Sequence, residues 1–195
     1  MSNLEIFAVL ISVIAVALTV KRHILCWLFN FVGAIIYGYL FYLYQLYAET
    51  LLQVFFMLMA IYGFITWQKQ NKKQPSLTVQ QIAIRSAILQ IIATLILGLM
   101  FGLSLQHFTQ ADLPLLDAQL VAFSLLGTFW ATRKYVATWV LWIVLDVIYV
   151  GMFIYKELFL TAALYAGFVG LACWGLVQWQ RTRQCSQNKM TSSLS

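Results

Sequence analysis

Apolar residues gather into seven long runs separated by short polar breaks, and very little charge interrupts any run. The runs cover about residues 6–20, 24–44, 50–67, 82–105, 116–132, 136–155 and 158–179. Each is continuously apolar rather than alternating, so each predicts a helix and not a strand of a membrane barrel. Several approach the ~20 apolar residues that a helix needs to cross a bilayer. The pattern therefore predicts an all-α integral membrane protein with seven transmembrane helices. Among the breaks are a turn at 45–49 and a basic segment at 68–76, which carries Lys69, Lys72, Lys73 and Pro75 and reads as a linker. A second polar loop spans 106–114, and a polar tail from Gln180 onward is expected to be disordered.

The runs also repeat. At an offset of 112 positions Trp27 meets Trp139, Tyr37 meets Tyr149, Phe41 meets Phe153 and Phe56 meets Phe168. Gly63 meets Gly175, Trp67 meets Trp179 and Gln68 meets Gln180, with no gap anywhere between Leu4 and Lys69. Self-similarity of this kind marks an internal duplication. Spans one to three recur as spans five to seven, and span four has no counterpart, which gives a 3+1+3 plan. Because one span joins them, both triplets cross in the same direction. The duplication is therefore parallel, related by an axis along the membrane normal, which is one of the transporter plans. The domains expected are 4–69 for the first repeat, 70–115 for the linker with helix four, 116–181 for the second repeat and 182–195 for a polar cytoplasmic tail.

Composition sharpens this picture. Charged residues make up 9% of the chain, against roughly 25% in a soluble domain. A soluble fold is excluded. The net charge of +6 would suggest nucleic acid in a soluble protein, but topology accounts for it. In a seven-span chain every Lys and Arg except Lys156 falls on one side, and basic loops stay in the cytoplasm. The expected location is the bacterial cytoplasmic (inner) membrane, with the N-terminus external, the C-terminus cytoplasmic and no nucleic-acid partner. No basic segment precedes the first run, so it is expected to be retained rather than cleaved. Cys26, Cys173 and Cys185 show no disulfide or metal spacing, and His23 and His107 form no ligand pair. Nothing in the chain has the form of a Ser/His/Asp set, a phosphate-binding glycine loop or a haem pair, so neither an enzyme nor a cofactor is expected.

Asp146 is the only acidic residue deep inside an apolar run; Asp117 stands at the very edge of the run 116–132. An ionised carboxylate at mid-bilayer costs about 2.5–3.5 kcal/mol on insertion scales, and no basic residue lies at comparable depth. The acid is therefore protonated, hydrogen-bonded by neutral groups, or paired with a cationic ligand. Trp139, Trp142, Asp146, Tyr149 and Phe153 follow a 3-4-3-4 spacing and share one helix face. A carboxylate flanked by indoles suits a flat cationic ring, through charge pairing, stacking and cation–π attraction of ~0.5–2 kcal/mol. The alternative is aromatic packing around a buried polar clip. In the twin span Ala34 stands at the place of Asp146 and Asn30 at that of Trp142. Asn30 and Gln53, the latter aligned with Tyr165, are expected to face the bundle. There they either glue helices, at roughly 0.6 kcal/mol each, or read an amide or ribose hydroxyl. Tyr62, Trp174 and Gln178 are further candidates on spans three and seven. Trp67 and Trp179 read as an interfacial belt, and Gly33, Gly63, Gly167, Gly170 and Gly175 as points of close helix packing.

In the stretches LYAETLLQVFFMLMAIYGFITW (46–67) and TRKYVATWVLWIVLDVIYV (132–150), and in the KELFLTAALY run that opens span seven, the chain resembles the PnuC family of bacterial vitamin-precursor transporters. The resemblance covers essentially its whole length. It implies a fold similar to an enlarged SWEET transporter, a homotrimer with one pathway per protomer, and facilitated diffusion trapped by cytoplasmic phosphorylation. Members of that family divide among nicotinamide riboside, thiamine, riboflavin and deoxynucleosides. The first two are flat cations, in keeping with Asp146, whereas riboflavin is neutral and larger. The expectation is a passive nicotinamide riboside transporter working by alternating access. Asp146 would balance the pyridinium, Trp139 and Trp142 would stack on it, and Asn30, Gln53 and Tyr165 would read amide and ribose. Thiamine is the alternative cargo. A non-transport membrane scaffold, with Asp146 purely structural, is the alternative of another class.

Overall fold

The structure is a computed structural model describing residues 3–43, 47–73, 79–108, 114–155, 157 and 159–192. It contains seven helices: α1 (Asn3–Val20), α2 (Leu25–Leu43), α3 (Tyr47–Lys73), α4 (Ile84–Phe108), α5 (Pro114–Thr132), α6 (Ala137–Tyr155) and α7 (Phe159–Ser192). Six are long and apolar enough to cross a membrane, while the apolar part of α1, Ile6–Val20, is shorter. Large apolar side chains stand exposed along the whole of α4, among them Ile84, Leu89, Leu97 and Leu103. Water would penalise that surface and hydrocarbon does not.

Two segments depart from the sequence reading. Helix α3 continues through Lys73, so most of the expected linker at 68–76 is helical, and its remainder lies outside the described residues. Helix α7 continues through Ser192, so the polar tail expected to be disordered is helix from Gln180 to Ser192, and its remainder lies outside the described residues. The reason is local in both cases. Gln, Lys and Arg propagate a helix nearly as well as Leu does, and neither Gly nor Pro occurs from Leu176 to Ser192. The turn expected at 45–49 and the loop at 106–114 fall partly outside the described residues, with Pro114 at the first position of α5, where proline is well tolerated.

The chain forms two compact units, Met1–Val79 with Cys173–Ser195, and Gln80–Ala172. In the first, α2 packs against both α1 and α3; in the second, α5 packs against α4 and α6.

Helix α1 ends at a corner built by local hydrogen bonds. Arg22 adopts a left-handed φ of 57°. The His23 N–H donates to the Leu18 carbonyl at 2.9 Å and the Arg22 N–H to the Thr19 carbonyl at 2.9 Å. These are the two bonds of a Schellman cap, whose left-handed position is usually glycine. The N–H groups of Lys21, Cys26 and Trp27 complete the corner by donating to the carbonyls of Ala17, His23 and Ile24. Every one of these five bonds recurs 112 residues later. Lys134 is left-handed at φ 55°, and the N–H groups of Arg133, Lys134, Tyr135, Thr138 and Trp139 donate to Phe129, Ala131, Trp130, Tyr135 and Val136. A side chain in this backbone region costs about 1–2 kcal/mol relative to glycine, and the chain bears that cost at both corners.

The burial pattern repeats as well. The buried positions of α2 are Cys26, Trp27, Gly33, Ala34 and Leu40, and those of α6 are Thr138, Trp139, Leu145, Asp146 and Met152. At the offset of 112 these two sets coincide position by position.

Within the first unit the Trp27 ring lies edge-on to Trp67, with centroids 5.4 Å apart, and against Gly63 one turn earlier on α3. Trp67 and Trp179 are each 0% exposed, with ring centroids 6.5 Å apart. The Trp179 indole N–H donates to the Val20 carbonyl at 3.0 Å, one of the carbonyls left open at the end of α1. The expected interfacial belt is thus corrected: both indoles are buried, and for Trp179 a helix end supplies the acceptor that water would otherwise provide. In the second unit α4 meets α5 through Gly98 and Gly102, a small-xxx-small pair. A Cβ on Gly102 would stand 3.1 Å from the Leu115 backbone. Beside it the Gln119 amide donates to the Leu95 carbonyl at 3.0 Å, and the Trp130 indole to Gln90 Oε1 at 2.7 Å.

A Cβ on Gly63 would lie 2.5 Å from the Trp27 ring, which is buried and has nowhere to go. Gly63→Ala is expected to destabilise the protein by about 1–3 kcal/mol, as overpacking does. Gly167→Ala, with nothing within 4 Å of the added carbon, should be neutral or stabilising by up to about 1 kcal/mol. Thermal unfolding of both variants in detergent checks the contrast.

Candidate functional site

The site is carried by α6 in the second unit. The N-terminal part of that helix is fixed to α5 by Thr138, whose buried hydroxyl donates to the Gly127 carbonyl at 2.8 Å. Because Gly127 lacks a Cβ, the Trp142 indole approaches to about van der Waals contact; an added carbon would stand 3.2 Å from its Nε1. The orientation of Trp142 is therefore set by backbone proximity. One turn on, Leu145 joins Leu120 and Met152 in a buried core, against which Leu116, Phe123, Leu141, Trp142, Tyr149 and Phe153 pack.

Asp146 follows Leu145 in this packed segment and is 5% exposed. Among the described residues no hydrogen bond or ion pair reaches its carboxylate, and no group of His, Cys, Asp and Glu could hold a metal. Trp142 and Tyr149, four residues before it and three after, line the same side of the helix. Tyr149 stacks on Phe153 at 6.0 Å, and both meet Tyr165 of α7, at 4.8 and 5.0 Å. Phe168 closes the cluster edge-on to Tyr165 at 5.7 Å. Among the described residues the acid has no protein partner, and Trp142 and Tyr149 lie one turn from it along the helix.

The structure places Trp142, Asp146, Tyr149 and Tyr165 in the second unit, where Tyr149 meets Tyr165, with Trp139 buried on the first turn of the same helix. It places Asn30, Gln53, Tyr62, Trp174 and Gln178 in the first unit. There Asn30 is exposed and turns its amide back to donate to the Cys26 carbonyl at 2.9 Å. Gln53 is half-buried, its stem against Gly38. Tyr62 and Trp174 are exposed, as is Gln178, whose carbonyl accepts from the Thr182 hydroxyl. Sequence reasoning missed Thr138 and Gly127, which orient Trp142, and Phe168, which completes the aromatic cluster. Phe168 carried a usable signal, since it matches Phe56 across the duplication. Thr138 carried none, because its twin is Cys26.

Fold and site together define a multi-pass, all-helical membrane protein that carries, among the described residues, one buried acid on a helix rich in aromatic residues. The sequence model of the nicotinamide mononucleotide transporter family matches residues 2–181, and the chain belongs to that family. The family is one of membrane transporters and not of enzymes. The chain is 25% identical over 204 residues to the nicotinamide riboside transporter PnuC of Escherichia coli, a match covering 92% of this chain and 85% of that one. It is 22% identical over 151 residues to the protein of the same name from Neisseria mucosa, covering 74% and 57%. A solved structure, the crystal structure of the vitamin B3 transporter PnuC, superposes with a TM-score of 0.67 at 20% identity, covering 93% of this chain and 84% of that one.

Thr138→Val removes a buried donor and leaves the Gly127 carbonyl to its helix alone. The expected cost is about 1–2 kcal/mol, with a change in Trp142 fluorescence as the ring loses its fixed seat; unfolding and emission spectra measure the two effects.

Proposed function

We propose that the protein carries nicotinamide riboside into a bacterial cell across the cytoplasmic membrane. It works by facilitated diffusion through alternating access, and phosphorylation of the riboside inside keeps the flux inward. The observation that carries this reading is the slot of Asp146. Its twin position holds Ala34, at the same buried place of a helix whose buried positions coincide with those of α6. The fold has no need of an acid there, so the acid serves something the fold does not contain. A pyridinium ring fits: its charge meets Asp146, and Trp142, with Trp139 and Tyr149 along the same helix, offers it π faces. Tyr165, in the same unit as Asp146, reads an amide or ribose hydroxyl.

The same proposal takes the seven helices as a 3+1+3 parallel duplication similar to a SWEET transporter, with repeats at 4–69 and 116–181 joined through 70–115. The corner bonds and burial positions repeated at an offset of 112 support the duplication. The distribution of Lys and Arg supports an external N-terminus and a cytoplasmic C-terminus. The protein works as a homotrimer with one pathway in each protomer.

Calorimetric titration of the purified, detergent-solubilised protein with nicotinamide riboside and, separately, thiamine tests the proposal. Riboside binding is expected, and Asp146→Asn should weaken it by about tenfold or more, since a contact to a charged group contributes about 1.5–3 kcal/mol. Asp146→Ala should lose binding yet unfold no earlier than the parent, because alanine already fills the twin slot. Unchanged affinity in Asp146→Asn would remove the acid from the site. Thiamine binding alone would keep the carrier and change its cargo. Binding of neither, with both variants destabilised, would favour a structural membrane protein.

A further inference from the structure

The two repeated corners differ in what covers them. At the second, the segment before α4 lies across the turn: the Gln80 N–H donates to the Lys134 carbonyl and the Val136 N–H to the Gln80 carbonyl, each at 3.0 Å. Lys134 beneath is 1% exposed. At the first corner, among the described residues, nothing takes the matching place, and neither the Arg22 carbonyl nor the Ile24 N–H makes such a bond. Arg22 is half-buried, and its Nε is sealed from water without any hydrogen-bond partner. Partial burial pulls its guanidinium below the ordinary pKa.

Other basic groups stand at the same end of the first unit. The α1 terminus meets Trp179 and Trp67 there. Lys21 adjoins Arg22, and Lys69 and Arg181 lie two residues beyond the two indoles, all three exposed. The unit's acidic residues, Glu5 and Glu49, sit at the opposite ends of α1 and α3. Just beyond the corner the first turns of α2 expose Leu25 and Leu28. An anion that places a phosphate on Arg22 and apolar chain on these leucines is an amphiphile. A left-handed residue other than glycine is retained where its side chain has a task, and a fork of guanidinium donors matches a phosphate.

We propose that the α1–α2 corner is a binding site for an anionic phospholipid, with its headgroup phosphate on Arg22 and Lys21 and its acyl chain along Leu25 and Leu28. The site is separate from the Asp146 site and does not depend on the cargo assigned to it.

The test is native mass spectrometry of the full chain in mild detergent, titrated with phosphatidylglycerol and with phosphatidylcholine. Phosphatidylglycerol should bind more tightly. Arg22→Asn keeps a residue that tolerates the left-handed backbone and should lower phosphatidylglycerol affinity about fivefold, as loss of one basic contact near a membrane does. Lys21→Gln, at an exposed position, should weaken it in the same direction without touching the corner, while Arg85→Gln, at the start of α4, should leave it unchanged. Equal binding of the two lipids would overturn the proposal, as would an undiminished preference in both Arg22→Asn and Lys21→Gln. Competition by millimolar inorganic phosphate that abolishes the preference would assign the corner to a soluble phosphate instead, and would also overturn it.

Discussion

Five backbone hydrogen bonds fix the angle at which α2 leaves α1, and the same five fix the angle at which α6 leaves α5. In hydrocarbon a helix end cannot leave its carbonyls open, so a corner that satisfies them locally sets the direction of the next helix. Once that direction is set, so is the rotation of the next helix about its axis. This is why the buried positions of α2 and α6 coincide at the offset: the corner phases the helix, and the phase decides which residues turn inward. Position 146 is buried for the reason that position 34 is buried, and what stands there is open to change without moving the fold.

That freedom gives Asp146 its meaning. An acid lying on a helix by chance would be expelled by rotation or offset by a neighbour, and here the corner forbids rotation while the described neighbours supply no partner. The surroundings have diverged in step. Trp142 has an oriented seat made by Thr138 and Gly127, while its twin Asn30 is exposed and bonded to its own helix. One repeat has kept a plain helix and the other has gathered charge and π surface on the matching face. A scaffold gains nothing from such asymmetry, whereas a carrier of a flat cation does.

Much of this was legible in the sequence. The apolar runs gave the helices, and the offset matches of Trp27, Gly63 and Trp67 gave the repeat, since each pairs with a residue of the same type. The face bearing Trp142, Asp146 and Tyr149 followed from 3-4 spacing alone. What was not legible depends on partners distant in the chain. Trp67 and Trp179 read as belt residues because tryptophan near a polar break usually is one, and only the Val20 carbonyl, 159 residues away, turns Trp179 inward. The helical continuation of α3 and α7 was hidden by polarity, which says that a segment is wet but not that it is unfolded. The amide of Asn30 donates to the Cys26 carbonyl four residues back, a local bond of the kind that short amides make and that spacing alone does not reveal.

The two corners also explain why charge, rather than glycine, sits at the left-handed positions. A glycine at residue 22 or 134 would close the same Schellman cap at lower conformational cost. The chain instead has arginine at one and lysine at the other, each drawn at least partly into the protein at the end of an apolar helix. At the second corner the fold itself lays a backbone segment over the turn, and Lys134 disappears beneath it. At the first corner the described chain offers no such cover and the guanidinium keeps an unsatisfied donor. The segment that leads into α4 lies over the second of the two matching turns, and among the described residues no segment lies over the first in that way. The uncovered turn is left with the chemistry of a phosphate site at the edge of an apolar surface, and the membrane surrounding it is made of molecules that match both halves of that description.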